Sequence, residues 1–291
     1  MAPLEVCAHA PVINKVVNRI SLKRCGFSWP CLSSFTKGWP PTRRSYSAEV
    51  NLLLCAEPSD RIGTVRFFGP VHLTLLIGIA AVSIALSALC RRRRISGRAV
   101  RLAVGYGIGL NELIWWVFRY SHEGLRVTNL PLQLCDVAVW GTVIACLTLK
   151  PAAVEFAYFV GLAGAGMALL TPDLWSPWPS YPAIYFFVAH GGIVTGCSAL
   201  VFGRIARLRP NAVWRAFGLL LAYAALIAVF DAVFGTNYVY LCRKPRNASL
   251  LDALGPWPLY LVTGAAVGLA LFWLLWLPVR RLAHTPLPDR P

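Results

Sequence analysis

From Phe67 onward the chain repeats one pattern, an apolar run of about 20 residues followed by a short polar break, and each run is long enough to cross a bilayer core of about 30 Å. Seven such runs can be read, at 67–90, 99–119, 130–149, 152–170, 182–203, 213–235 and 257–279. In hydrocarbon every backbone N–H and C=O must be bonded within the protein, so single runs of this kind can only be helices. Composition agrees. Residues of the AVILMFWYC set make up 57% of the chain and charged residues 14%, where a soluble domain carries about 25% charge. A disordered chain is excluded, and the same figures argue strongly against a soluble enzyme. The expected fold is all-α: a polytopic membrane protein, a seven-transmembrane-helix bundle over residues 66–280.

Orientation follows from where Lys and Arg collect, because cytoplasmic loops are enriched in them. The loops after runs one, three and five, with the C-terminus, hold fourteen, among them Arg91 to Arg94, Lys150, Arg209 and Arg215. The opposite loops hold five: Arg119, Arg126, Arg243, Lys244 and Arg246. This places the N-terminus outside and the C-terminus inside, with 281–291 a short cytoplasmic tail. The excess of 28 basic over 12 acidic residues is therefore loop composition, and membrane lipids rather than nucleic acid are the expected partners. Residues 1–62 differ from the rest: basic, with Trp-Pro-Pro and Ser-rich stretches, and without a spanning run or a signal peptide. They read as an unstructured or lipid-surface tail, or as translation upstream of the true start. The second is preferred, because an exported N-terminus would carry nine basic residues with it.

Ionisable groups inside a span cost about 2.5–3.5 kcal/mol each on insertion scales, which makes them functional candidates. Glu112, Asp136, Glu155 and Asp231 are the acids, and His72 and His190 the histidines. Counting about 1.5 Å per residue, His72, Glu112, Cys135, His190 and Asp231 all fall within about 6–12 Å of the outer boundary. Only Glu155 lies near the inner end. Convergence at one depth reads either as a hydrogen-bond network that fixes helix register or as a polar cavity open to the outer leaflet. The nine cysteines contain no CxxC pair and no Cys/His spacing of a zinc site, so no metal is expected. No span contains a lysine for a retinal Schiff base, and nucleotide-binding glycine motifs are absent, so no cofactor is expected either. A thiol is a weak nucleophile until a base takes its proton. His190 on a facing helix would supply that base to Cys135, and the plainer alternative is a core cysteine beside a satisfied core histidine.

Five ordered motifs resemble the YwaF-like family of small bacterial integral membrane proteins. They are Leu130-Pro131-Leu132-Gln133-Leu134-Cys135-Asp136, Ala168-Leu169-Leu170-Thr171-Pro172-Asp173-Leu174, Tyr185-Phe186-Phe187-Val188-Ala189-His190-Gly191, Gly235-Thr236-Asn237-Tyr238-Val239-Tyr240-Leu241, and Ser249-Leu250-Leu251-Asp252 through Tyr260. That family is distantly similar to the eukaryotic transmembrane protein 164 family, in which a membrane-embedded Cys and a His are implicated in acyl transfer to lysophospholipids. The resemblance covers about residues 66–280. It implies a lipid acyltransferase or lipid hydrolase in a bacterial plasma membrane, with Cys135 as nucleophile and His190 as base. His72, Glu112, Gln133, Asp173, Asp231, Asn237 and Tyr238 would then contact the substrate or support the site. Many bacterial relatives carry His where this chain has Gln133. The alternative is a non-catalytic protein, or a small-solute or proton-coupled transporter that uses the same polar cluster.

Overall fold

A computed structural model describes residues 65, 68–172, 174, 176–244 and 250–283, all within the unit Ala56–Pro291. The tail expected at 1–62, Asp173, and residues 284–291 lie outside the described residues. Among the described residues every regular element is helical. The long helices are α1 (Pro70–Arg91), α2 (Gly97–Glu123), α3 (Leu134–Thr148), α4 (the run Pro151–Leu170), α5 (Tyr181–Val201), α6 (Ala212–Phe234) and α7 (Leu259–Trp276). A four-residue helix, α8 (Arg280–Ala283), follows α7.

Five of these, α1, α4, α5, α6 and α7, are long and apolar enough to cross a membrane. The other two fall short for different reasons. Helix α2 has 27 residues but carries Arg98, Arg101, Glu112, Arg119 and Glu123 along its length. Helix α3 is apolar but has only 15 residues. Large apolar side chains such as Ile77, Ile84, Leu226, Val233 and Val262 are more than 60% exposed. In water a surface of this kind would drive association; against acyl chains it carries no such penalty.

Local chemistry explains the helix ends. Proline stands in the first turn of α1, α4 and α5, where its missing N–H removes no helical bond. Ser96 caps α2 by accepting from Ala99 N. Gly235 ends α6 in the left-handed conformation, which glycine adopts without a Cβ clash. The last carbonyls of α3 are met from another helix, since Arg101 Nη1 donates to Cys146 O at 2.6 Å and Leu147 O at 2.9 Å. That contact satisfies groups a helix end otherwise leaves bare.

Helices α4 and α5 form the centre, with Tyr158, Phe159, Val160, Ile193 and Leu200 all at 2% exposure or less. Residues Ala157–Gly161 in the middle of α4 form a π turn. There the Cys197 thiol donates to Ala157 O at 3.1 Å, and the Tyr158 hydroxyl reaches Leu275 O at 3.0 Å, tying α4 to α7. At the end of α4 away from Leu170, Glu155 is wholly buried and grips two arginines. Arg209 reaches it through Nε and Nη2, each at 2.9 Å, and Arg215 through Nε at 2.9 Å and Nη2 at 2.8 Å. Glu155, which stood apart from the other acids in the sequence, is thus a double fork-on-fork ion pair that joins α4 to α6 and to the loop before it.

Candidate functional site

Cys135 is the second residue of α3. The helix starts there because Asp136, in its first turn, accepts from the Gln133 N–H at 3.1 Å, and a carboxylate in that turn also complements the helix dipole. The approach to α3 is non-helical chain, and its backbone groups are met by side chains from elsewhere. The Tyr238 hydroxyl donates to Val127 O at 2.8 Å and accepts from Leu130 N at 2.7 Å. The Tyr223 hydroxyl donates to Leu132 O at 2.6 Å. In return Gln133 Oε1 accepts from Val239 N at 3.1 Å. Tyr238 is itself held at its N–H by Asp231 Oδ1, at 2.9 Å, which also takes the Thr236 hydroxyl. Burial holds the Tyr238 phenol above its ordinary pKa, so it stays a neutral hydroxyl able to donate and accept at once. Asn237 staples the following loop by accepting from Cys242 N and Arg243 N and donating to Arg243 O. Gln133, Asn237 and Tyr238 therefore spend these hydrogen bonds on backbone, Asp231 divides its own between the Tyr238 N–H and the Thr236 hydroxyl, and Tyr238, Tyr223 and Gln133 hold the strap that delivers Cys135.

Cys135 is exposed. Glu112, Asp136 and Tyr185 share its electrostatic neighbourhood. Glu112 is fully buried. Its two oxygens accept from Trp116 Nε1 at 2.8 Å and from the Tyr185 hydroxyl at 2.7 Å, and the Tyr185 ring stacks on Trp115 at 4.2 Å. Tyr223 interacts electrostatically with both Asp136 and Asp231, so the acids of α2, α3 and α6 belong to one connected region. The second oxygen of Asp231 is buried with no hydrogen-bond partner among the described residues.

His190 has a different geometry from His72. At His72, Nδ1 accepts from Phe68 N at 3.0 Å and Nε2 lies 2.7 Å from Leu169 O. A carbonyl only accepts, so Nε2 carries the proton and both nitrogens are occupied; the ring joins the start of α1 to the end of α4. At His190, Nδ1 lies 2.8 Å from Phe186 O. The same logic puts the proton on Nδ1 and leaves Nε2 of the neutral ring as a bare lone pair. That Nε2 is buried and has no hydrogen-bond partner among the described residues.

The packing of α3 on α5 sets the level of Cys135 and His190. The two helices run in parallel. A Cβ placed on Gly196 would lie 3.1 Å from Thr142 Cγ2, and the Thr142 hydroxyl interacts with the Cys197 thiol. One turn earlier on both helices, Ala138 and Ile193 meet around Gly161, where a Cβ would lie 3.9 Å from one and 3.1 Å from the other. Cys135 precedes Ala138 by three residues and His190 precedes Ile193 by three. The same register carried one further turn puts Cys135 and His190 at a similar level, but His190 stands about 120° around α5 from Gly196, and it is Tyr185, about 20° from Gly196, that turns toward Cys135.

Tyr185, Tyr223 and Trp116 were not anticipated from sequence. Trp116 was within reach of the argument, since it stands four residues after Glu112 on one helix face; the tyrosines had no periodic signal. Among the described residues no group of three or more His, Cys, Asp or Glu is placed to hold a metal.

Apolar helices of spanning length around a buried polar region define an integral membrane protein with a candidate site inside the bundle. The sequence pattern of the TMEM164 family matches residues 67–276, and the chain belongs to that family. Neither a curated protein nor a solved structure matches it.

Proposed function

We propose that this TMEM164-family protein is a membrane-embedded lipid acyltransferase or lipid hydrolase in which Cys135 is the nucleophile and His190 the general base. The observation that carries the reading is His190 itself: a buried imidazole whose Nδ1–H is tied to Phe186 O and whose Nε2 is left bare. The pairing rests besides on the similar level of Cys135 and His190 along α3 and α5 and on the exposure of Cys135, and it requires His190 to turn toward α3. Sγ would attack the carbonyl carbon of a phospholipid ester as Nε2 takes the thiol proton. Collapse of the tetrahedral adduct breaks the C–O bond, and the proton passes from Nε2 to the departing lysolipid oxygen, leaving an acyl thioester on Cys135. A lysophospholipid hydroxyl, or water, then attacks the thioester, with His190 again taking and returning the proton. Glu112 with Tyr185 and His72 with Leu169 would bound the space for the head group.

The direct test is covalent. A long-chain alkyl chloroacetamide presented in vesicles is expected to label Cys135, as mapped on the cysteine-bearing peptides, and the label should vanish in Cys135→Ala with the thermal midpoint unchanged. A lysophospholipid should compete. Absence of label on Cys135 would overturn the mechanism. Lipid acyl turnover that survives Cys135→Ala would place the chemistry on another residue, and the absence of both label and turnover would leave the transport or non-catalytic reading, which the unpaired Asp231 oxygen favours.

The topology belongs to the same reading: seven spans, with α2 and α3 crossing inside the bundle, the N-terminus outside and the C-terminus in the cytoplasm of a bacterial plasma membrane. Alkaline phosphatase fused after Trp178 is expected to be active and after Arg209 inactive. The reverse pattern would invert the assignment.

A further inference from the structure

Away from the Cys135 region, two cavities follow one another along the seam between α1 and α5. One, of about 400 Å³, is lined by Gly78, Ile79, Phe187 and Gly191 among others, with Trp178 in its wall. The next, of about 310 Å³, runs past Ser83, Ile84, Ser87 and Ala88 to Arg91 at the end of α1. Both fall in the range of about 300–1,000 Å³ usual for ligand pockets. Between them Ser83, which lines the second cavity, and Thr195, which lines the first, meet through their hydroxyls at 3.0 Å. The serines of this slot give room rather than polarity, because Ser83 donates to Ile79 O at 2.7 Å and Ser87 to Ser83 O at 2.6 Å. The walls are therefore effectively apolar, and one end is a guanidinium followed in sequence by the exposed Arg92 and Arg94. From Gly78 to Arg91 the slot is about 20 Å long at about 1.5 Å per residue, enough for one acyl chain and a glycerol backbone in a leaflet of about 15 Å.

The geometry points to a bound anionic glycerophospholipid, its phosphate on Arg91 and one acyl chain laid along the α1–α5 slot toward Gly78. Arginine suits this end because its fork matches two phosphate oxygens, and a basic cluster beside a spanning helix attracts anionic lipid. Neither Cys135 nor His190 lines either cavity.

Gly78 gives the means to test it, since a Cβ there meets nothing within 4 Å. A leucine side chain would project into the slot without striking protein. The full chain, in nanodiscs of phosphatidylcholine with a trace of phosphatidylglycerol bearing a diazirine on one acyl chain, is irradiated and its cross-links mapped. They are expected on residues 78–91 and 191–202. Gly78→Leu and Ala88→Phe should each displace them, and Arg91→Gln should lower them about fivefold, which is ~1 kcal/mol. Gly218→Leu, another open glycine position, should leave them and the thermal midpoint unchanged. Cross-links spread evenly over α1, α6 and α7, or unaltered in Gly78→Leu, would overturn the site. Equal capture of a phosphatidylcholine probe would overturn the selection for negative charge.

Discussion

Replacing His190 with glutamine is expected to slow formation of the Cys135 thioester by about 10²–10⁴-fold, the range a general base contributes. Lipid binding should be little affected. Glutamine keeps much of the volume and can still donate to Phe186 O, but it has no lone pair basic enough to take a thiol proton. The readout is the initial rate of hydroxylamine-sensitive acyl label on the full chain in vesicles, with substrate affinity measured separately. A rate near that of the unmodified protein would remove His190 from the chemistry. The tautomer has an uncommon robustness here: the group that fixes it is a main-chain carbonyl, which no side-chain substitution can delete.

The largest effect on stability is expected at Glu155. Glu155→Ala leaves Arg209 and Arg215 facing a fully buried position with no acid, and breaking a buried pair costs about 3–5 kcal/mol. Both arginine side chains keep contact with solvent, at 46% and 38% exposure, so the lower end of that range is expected. A triple variant, Glu155→Leu with Arg209→Met and Arg215→Leu, should recover most of the loss, because an apolar replacement of a whole buried pair is often near neutral. Thermal unfolding in one detergent, run on both variants, checks this. A single variant as stable as the parent, or a triple as unstable as the single, would contradict the account.

These residues also show where sequence reasoning stops. The five apolar helices lie within a few residues of runs visible in the sequence, because in hydrocarbon the length of an apolar stretch decides the element. What the helices do to one another was not visible. Arg209 and Arg215 read as two more cytoplasmic charges, although their guanidinium groups belong to Glu155. Gln133 read as a substitution near the nucleophile, whereas its oxygen accepts from Val239, a residue more than a hundred positions away. His72 and His190 looked alike as span histidines. The difference between a ring with both nitrogens bonded and a ring with one nitrogen bare is made by Phe68, Leu169 and Phe186 carbonyl and amide positions, which exist only once the helices are packed.

The shortness of α3 has a consequence for the membrane itself. Fifteen residues rise about 22 Å, some 8 Å less than the hydrocarbon thickness of an average bilayer. In the proposed topology α3 crosses behind the strap before Gln133, whose carbonyls and amides are met by Tyr223 and Tyr238, and the helix itself stays shorter than the hydrocarbon layer. A bilayer relieves such hydrophobic mismatch by thinning beside the short element. Thinning would draw lipid carbonyl esters down toward the level of Cys135 without lifting any lipid out of its leaflet. Acyl-chain length in the surrounding membrane would then act as a control on turnover, with thin bilayers presenting the ester to the thiol and thick ones holding it away.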